Sequence, residues 1–158
     1  MSSGREGLAE MIEASVTGTI ENMAFVEVLA AQPAAEESAP GEQLMAAQLI
    51  HEPYQGEVWL CMSLPLVQEL TENVYALSAE EITDAMLEDV VAELLNTITG
   101  EVVKKVLPDD CSFKLGLPEM GEDSFLSTGP PTVLCAFEVD GRPFTVSAFL
   151  DAFFQGSD

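Results

Sequence analysis

The sequence predicts an α/β (α+β) fold in which two long helices pack on one face of a mostly antiparallel sheet. Two segments carry apolar residues at the spacing of an amphipathic helix, and several others alternate as strands do. A turn dipeptide, Asp140-Gly141, separates two of the alternating segments. With 158 residues and 47% hydrophobic composition, residues 1–158 are expected to form a single domain.

The first helix is predicted over residues 7–24, where apolar residues recur at helical spacing and polar residues lie opposite. The apolar set is Leu8, Ile12, Val16, Ile20 and Met23. Residues 25–29 are rich in β-branched and aromatic side chains and are predicted to form a strand. Residues 31–43 are rich in Pro, Glu and Ala, which predicts a flexible loop inside the domain.

Two strands are predicted next, at residues 44–51 and 57–64. The segment between them contains Pro53 and Gly56, which supply turn geometry. A β-hairpin is the simplest arrangement of these two strands.

A short helix is predicted to begin near Pro65, because proline is tolerated in a first helical turn, and to end near Tyr75. Ser78 is followed three residues later by Glu81, which is the pattern of a capping box. This pattern predicts that the second long helix begins there.

The C-terminal part returns to strand patterning. Residues 112–117 are predicted to form a strand and residues 118–131 a loop. Apolar residues then alternate over residues 133–139 and 144–150, on either side of Asp140-Gly141. This arrangement predicts a second hairpin.

The second long helix contains the most informative spacing of the chain, Asp89-x-x-x-Glu93-x-x-Asn96-x-x-x-Gly100. At about 100° per residue, these four positions fall within about 60° of arc and form one polar stripe. Apolar residues occupy the opposite side, as expected of a helix packed on a core: Leu87, Val90, Val91, Leu94, Leu95, Ile98 and Val102. The side chains of Glu93 and Asn96 are therefore expected to face away from the core.

Glu93 and Asn96 lie one helical turn apart, so they would present a carboxylate and an amide together. An asparagine amide can accept a hydrogen bond from water and donate one to an oxyanion, which orients a nucleophile without acting as a base. Glu93 could bind a lysine of a partner protein. An ordinary solvated helix face could carry the same pair, but Asn96 and mid-helix Gly100 are both unfavourable in a helix, which favours function or close packing.

Three apolar residues lie within or beside the stripe, and we predict that they form a partner-binding surface. They are Ile82, Met86 and Val103. The alternative is that these side chains lie under neighbouring loops or in a dimer interface.

Composition excludes several classes of function. Asp and Glu number 28 against 5 Lys and Arg, for a formal net charge of -23, which disfavours binding to nucleic acid or to an anionic membrane surface. The sequence shows neither a membrane-spanning apolar run nor the apolar core of a secretion signal, so a cytoplasmic location is predicted. Cys61, Cys111 and Cys135 are odd in number and far apart, which predicts buried reduced thiols and no metal site.

At these residues the sequence resembles the CheC/CheX/FliY family of bacterial chemotaxis phosphatases, and its CheX-like members in particular. The resemblance is carried by the stripe motif, by Glu-Asn-Met-Ala-Phe at residues 21–25, and by Phe-Lys-Leu-Gly-Leu-Pro at residues 113–118.

The resemblance implies a CheX-like fold and hydrolysis of the aspartyl phosphate on a CheY-like response regulator. In such a family Asn96 would position the attacking water and Glu93 would contact the regulator's lysine, with Asp89 and Gly100 as supporting positions. The protein would need no cofactor of its own, since Mg²⁺ would be bound by the phosphorylated receiver. The resemblance is compatible with a homodimer, and the composition is equally compatible with an acidic monomer.

Two departures from the family pattern are visible. Glu101 follows the motif glycine where asparagine is usual, and residues 7–24 contain no second E-x-x-N, so one site per chain is predicted. The alternative function is a non-enzymatic acidic binding module, either a receiver-sequestering domain or a secretion-chaperone-like protein. A chaperone would need a wide exposed apolar surface, and it has no use for a carboxylate and an amide one turn apart.

Overall fold

The structure is a computed structural model that describes residues 7–31, 43–121 and 130–154. The helices in these ranges are α1 (Leu8–Ala24), α2 (Leu64–Tyr75) and α3 (Asp84–Val106), with short 3-10 helices at Ala79–Glu81 and Asp151–Phe153. The strands are β1 (Leu29–Ala31), β2 (Gln43–Glu52), β3 (Gly56–Ser63), β4 (Lys114–Leu115), β5 (Glu119–Met120), β6 (Val133–Val139) and β7 (Arg142–Phe149).

The seven strands form one sheet in the order β1-β6-β7-β3-β2-β4, with β5 also paired to β2. Every pairing is antiparallel. Both predicted hairpins are present, and the turn between β6 and β7 places Asp140 and Gly141 at φ values of 51° and 78°. Positive φ at both central residues matches the twist of a two-residue hairpin, which is why this dipeptide suits the turn.

The helices pack on the face of the sheet to which Val58, Leu60 and Met62 of β3 contribute. α1 contacts β6, α3 contacts β2 and β3, and the two long helices contact each other. All of the predicted core-facing residues of α3 are buried: Leu87, Val90, Val91, Leu94, Leu95, Ile98 and Val102. The predicted fold class, a mostly antiparallel sheet with two long helices on one face, is confirmed.

The strand predicted at residues 25–29 is wrong in position. Phe25 adopts a left-handed conformation (φ 59°) and ends α1, with its N–H donating to the carbonyl of Glu21 at 3.1 Å. The side chain of Phe25 is 74% exposed. Strand pairing begins only at Leu29, because the helix cap first has to redirect the chain.

The capping box of Ser78 and Glu81 exists, but it does not begin the long helix. The backbone N–H of Ser78 donates to the Glu81 carboxylate at 3.1 Å and caps a 3-10 helix. Ile82 is extended, so the chain leaves the helical conformation before Thr83 begins a new helix. The Thr83 hydroxyl accepts the N–H of Met86 at 3.2 Å, which makes Thr83 the N-cap of α3.

The other predicted boundaries shift by smaller amounts. The strand predicted over residues 112–117 is reduced to β4, and β5 begins inside the predicted 118–131 loop. Most of that loop, and nearly all of the predicted 31–43 loop, lies outside the described residues. The single-domain assignment for residues 1–158 stays a prediction. None of the helices in the described ranges has the length and apolar character needed to cross a membrane.

Candidate active site

The predicted polar stripe lies along the solvent-facing side of α3. Glu93 and Asn96 are exposed, whereas Leu94 and Leu95 between them are completely buried. Asp89, one turn before Glu93, is exposed as well. The helical periodicity of the sequence therefore places a carboxylate and an amide side by side on the surface, one turn apart.

Asn96 is anchored by a buried residue of the sheet, Gln48 of β2. The side chain of Gln48 is 1% exposed, and its Nε2 donates to Asn96 Oδ1 at 2.7 Å and to the carbonyl oxygen of Gly116 at 2.8 Å. The N–H of Gly116 in turn donates to the carbonyl of Leu49 at 2.8 Å. The exposed amide of Asn96 is thus connected through one buried side chain to the edge of the sheet.

The remaining hydrogen-bonding groups of the pair are available to a partner. Within the described residues, the Nδ2 group of Asn96 has no acceptor and Glu93 forms neither a hydrogen bond nor an ion pair. The lysines of α3 lie further along the helix, where Lys104 and Lys105 each approach Glu101 at 3.6 Å. The Glu93 carboxylate therefore has no cation of its own in this part of the structure.

Gly100 is half-buried, and among the described residues a Cβ built on it would meet no atom within 4 Å apart from its own stretch of helix. Close packing inside the described part of the chain therefore does not explain a glycine in the middle of α3. Because glycine has no side chain, this position leaves space on the same stripe as Asn96.

One predicted docking residue is wrong. Val103 is 1% exposed and belongs to the core, so it cannot line a surface for a partner. Val103 follows Asn96 by seven residues, which places both within about 20° of the same helix flank. That flank lies against β2 at Asn96, as the Gln48 contact shows, and α3 also contacts β5.

The other two predicted docking residues keep part of their surface. Ile82 and Met86 are each half-buried, at the extended residue before α3 and in its first turn. Ile82 packs partly against the core, which leaves only the remainder for contact with another protein. Their assignment as partner-binding residues stays a prediction.

Two residues in the neighbourhood of Asn96 are not predicted by the sequence pattern. Gln48 interrupts an apolar strand, on the same face as buried Ala46 and Ile50, and that isolated amide was the available signal. Leu117 is 83% exposed, and it directly follows Gly116, whose carbonyl oxygen is bonded by Gln48. A leucine in a loop carries no comparable signal in the sequence.

The described residues contain no group of three or more His, Cys, Asp or Glu side chains that could hold a metal ion. The three cysteines are free thiols, but only Cys135 is buried as predicted, whereas Cys61 and Cys111 are half-buried. Burial, with a smaller contribution from the nearby Glu13 carboxylate, raises the pKa of Cys135 to about 11. A thiol with so high a pKa stays protonated near neutral pH, so Cys135 is not a suitable nucleophile.

Comparison with known protein families identifies the chain. The model of the family described as chemotaxis phosphatase CheX matches residues 45–134, more than half of the 158 residues. The chain belongs to the CheX family. The match to CheX includes the whole of α3 and β2 from residue 45 onward, and therefore Glu93, Asn96 and Gln48. Among curated proteins, none matches the chain in sequence.

Solved structures show the same fold at low sequence identity. CheX from Desulfovibrio desulfuricans has a TM-score of 0.70 at 18% identity, covering 89% of this chain and 97% of that chain. CheX from Vibrio vulnificus has a TM-score of 0.70 at 14% identity, covering 90% and 97%. A chain of the CheX–CheY–BeF3–Mg²⁺ complex from Borrelia burgdorferi has a TM-score of 0.64 at 16% identity, covering 89% and 95%.

Proposed function

We propose that this CheX-family protein hydrolyses the aspartyl phosphate of a CheY-like response regulator, with Asn96 and Glu93 as its working residues. The observation that carries the proposal is the exposed Asn96 amide, held at one end by buried Gln48 and open at the other. Membership of a family of chemotaxis phosphatases supports the reaction, and the CheX–CheY complex of the Borrelia relative supports the class of partner.

The proposed chemistry needs positioning more than it needs a strong base. Oδ1 of Asn96 has a second lone pair that can accept a hydrogen bond from water, while Nδ2 can donate to a phosphoryl oxygen. Water attacks phosphorus, the bond between phosphorus and the aspartate oxygen breaks, and the products are inorganic phosphate and a free aspartate. Catalysis of phosphoryl transfer depends mainly on such positioning and on electrostatic stabilisation.

Glu93 has a separate role in this proposal. Its exposed carboxylate has no ion-pair partner in the described part of the chain, so it can form a charge-assisted hydrogen bond with a lysine of the regulator. Such a contact would set the register of docking and keep Asn96 at the phosphoryl group. Asp89 and Gly100 would support the docked helix face.

We place the Mg²⁺ of the reaction on the receiver. The described residues bring together no ligand group for a divalent cation, and Glu93 with Asn96 offers only one carboxylate and one amide. The chain itself would need no cofactor. Magnesium would neutralise phosphoryl charge from the receiver's side while Asn96 acts on the water from this side.

The test is phosphate release from a phosphorylated CheY-like receiver of the same organism, with Asn96→Ala as the variant. We expect the stimulated rate to fall about 10²- to 10³-fold, because the loss of one pre-organised hydrogen-bonding group has an effect of that order. Gln68→Ala removes an exposed amide from α2 and serves as the matched control, whose rate should stay unchanged.

Two results would overturn the proposal. If Asn96→Ala releases phosphate as fast as the unchanged protein, this amide does not carry the reaction. If the unchanged protein binds the phosphorylated receiver and protects it from dephosphorylation, the chain is a receiver-sequestering module instead of an enzyme. Circular dichroism of each variant shows whether the fold is intact, which is expected because Asn96 is exposed.

A further inference from the structure

We infer that Gln48 is a positioning residue for the reaction. Its NH2 group is fixed by the carbonyl oxygen of Gly116 and in turn fixes the orientation of the Asn96 amide. This inference rests on the proposed function, since it concerns how Asn96 is oriented for it. Gln48 does not touch the reacting atoms in this arrangement and acts through Asn96 alone.

The direction of the hydrogen bonds follows from the Gly116 carbonyl. A main-chain carbonyl oxygen can only accept, so the group of Gln48 that lies 2.8 Å from it must be the NH2 group. The same Nε2 lies 2.7 Å from Asn96, and its second hydrogen therefore requires an acceptor there, which is Oδ1. The backbone of Gly116 thus determines the orientation of two side-chain amides in series.

The orientation has a consequence for the exposed end of Asn96. With Oδ1 turned toward Gln48, the Nδ2 group faces away from it, toward the space that a partner would occupy. One lone pair of Oδ1 is occupied by Gln48 and the other stays free for water. An Asn96 amide rotated by half a turn would exchange donor and acceptor and would place two donors against each other at Gln48.

The buried amide of Gln48 destabilises the fold, which indicates that this residue is kept for another purpose. It lies on the face of β2 that also carries Ala46 and Ile50 of the core, and its Oε1 is buried without a partner among the described residues. A buried amide oxygen that loses water and gains no donor destabilises the folded state relative to an apolar side chain. The orientation of Asn96 offers a reason for keeping an amide at this position.

The kinetic test uses Gln48→Met, which keeps the length of the side chain and removes both donors. With a phosphorylated CheY-like receiver as substrate, we expect kcat to fall about 10- to 100-fold while KM stays within about twofold, because Glu93 still docks the receiver. Thr71→Val removes another buried polar group, whose hydroxyl donates to the Val67 carbonyl of its own helix, and should leave both constants unchanged.

A double variant shows whether Gln48 acts through Asn96. If it does, Gln48→Met combined with Asn96→Ala is no slower than Asn96→Ala alone. Multiplied effects in the double variant, or a change in KM without a change in kcat, would overturn the inference. If Asn96→Ala itself has full activity, the proposed function fails first, so the two failures are distinguishable.

A measurement on the folded protein keeps the inference testable even if Gln48→Met does not fold. In ¹⁵N-edited NMR spectra, both side-chain NH2 hydrogens of Gln48 should exchange slowly with D2O, since both are hydrogen-bonded and buried. Asn96→Ala should speed exchange of this NH2 group at least tenfold, because rotation about the C–N bond brings each hydrogen in turn to the side that has lost its acceptor. Fast exchange of both hydrogens in the unchanged protein, or unchanged slow exchange in Asn96→Ala, would show that the network does not exist.

Discussion

A single asparagine can serve phosphoryl transfer only if its amide is presented in one orientation. In this protein the exposed side of Asn96 is left open, and the other side is bonded to a side chain that is 1% exposed. The rotational entropy of an exposed amide is therefore reduced before any partner arrives. The fold therefore orients Asn96 before docking. This orientation depends on the neighbouring residues and cannot be predicted from the residue type alone.

At this scale we also predict the effect of Glu93→Gln, which removes a charge and keeps the shape of the side chain. KM for the phosphorylated receiver should rise about five- to tenfold, on the order of 1 kcal/mol, while kcat changes little. Glu88→Gln makes the same chemical change at an exposed position of α3 outside the stripe and should leave KM unchanged. Steady-state phosphate release measures both constants, and equal effects of the two variants would contradict a specific role for Glu93.

At the scale of the element, α3 combines a stable helix with one position that weakens it. Gly100 lies well inside Asp84–Val106, and no atom from the other described parts of the chain would obstruct a methyl group there. The fold therefore does not require glycine at this position. A surface that another protein approaches closely would require it.

This reasoning leads to a prediction for Gly100→Ala. The free energy of unfolding should increase by about 1 kcal/mol because alanine is the better helix former, while affinity for the receiver falls because the methyl group stands on the stripe. Gly18→Ala in α1 is the matched control, since its Cβ also meets nothing within 4 Å, and it should raise stability without lowering affinity. Denaturant unfolding and a binding titration measure the two effects, and higher stability with unchanged affinity in Gly100→Ala would remove Gly100 from the docking surface.

The helices also show how far the sequence could be interpreted alone. The stripe and the buried arc of α3 were predictable because they depend only on helical periodicity. Val103 was not, because its burial depends on which strand lies beside that flank, and the position of Gln48 under Asn96 depends on the same long-range pairing. The capping box at Ser78 was recognised correctly, but Ile82 ends the 3-10 turn before α3 begins, and a local pattern does not show that interruption.

At the scale of the whole molecule, charge is the dominant feature. A formal net charge of -23 on 158 residues implies repulsion among carboxylates, which destabilises the folded state. In the described residues the basic side chains that form ion pairs, Lys104, Lys105 and Arg142, pair with Glu101 and Glu69 on the protein's own surface. Few cations are then left to offset the carboxylates.

We therefore predict that added salt stabilises the protein. Raising NaCl from about 0.05 M to about 0.5 M shortens the Debye length from roughly 14 Å to roughly 4 Å, which screens carboxylate repulsion. The Tm measured by differential scanning calorimetry should rise by a few degrees, corresponding to about 1 kcal/mol for a domain of this size. A Tm that is constant or falls with NaCl would show that local ion pairs outweigh the net charge.

The described edge of the sheet sets a further condition on activity. β4 and β5 contain two residues each, and such short pairings belong to the parts of a protein that open most easily. Gly116 lies between them, so each opening of this edge would release Gln48 and with it the orientation of Asn96. The fraction of molecules with a correctly oriented Asn96 would then depend on the free energy of this local opening, which is far smaller than the free energy of global unfolding. Hydrogen exchange at the Gly116 amide would measure it directly.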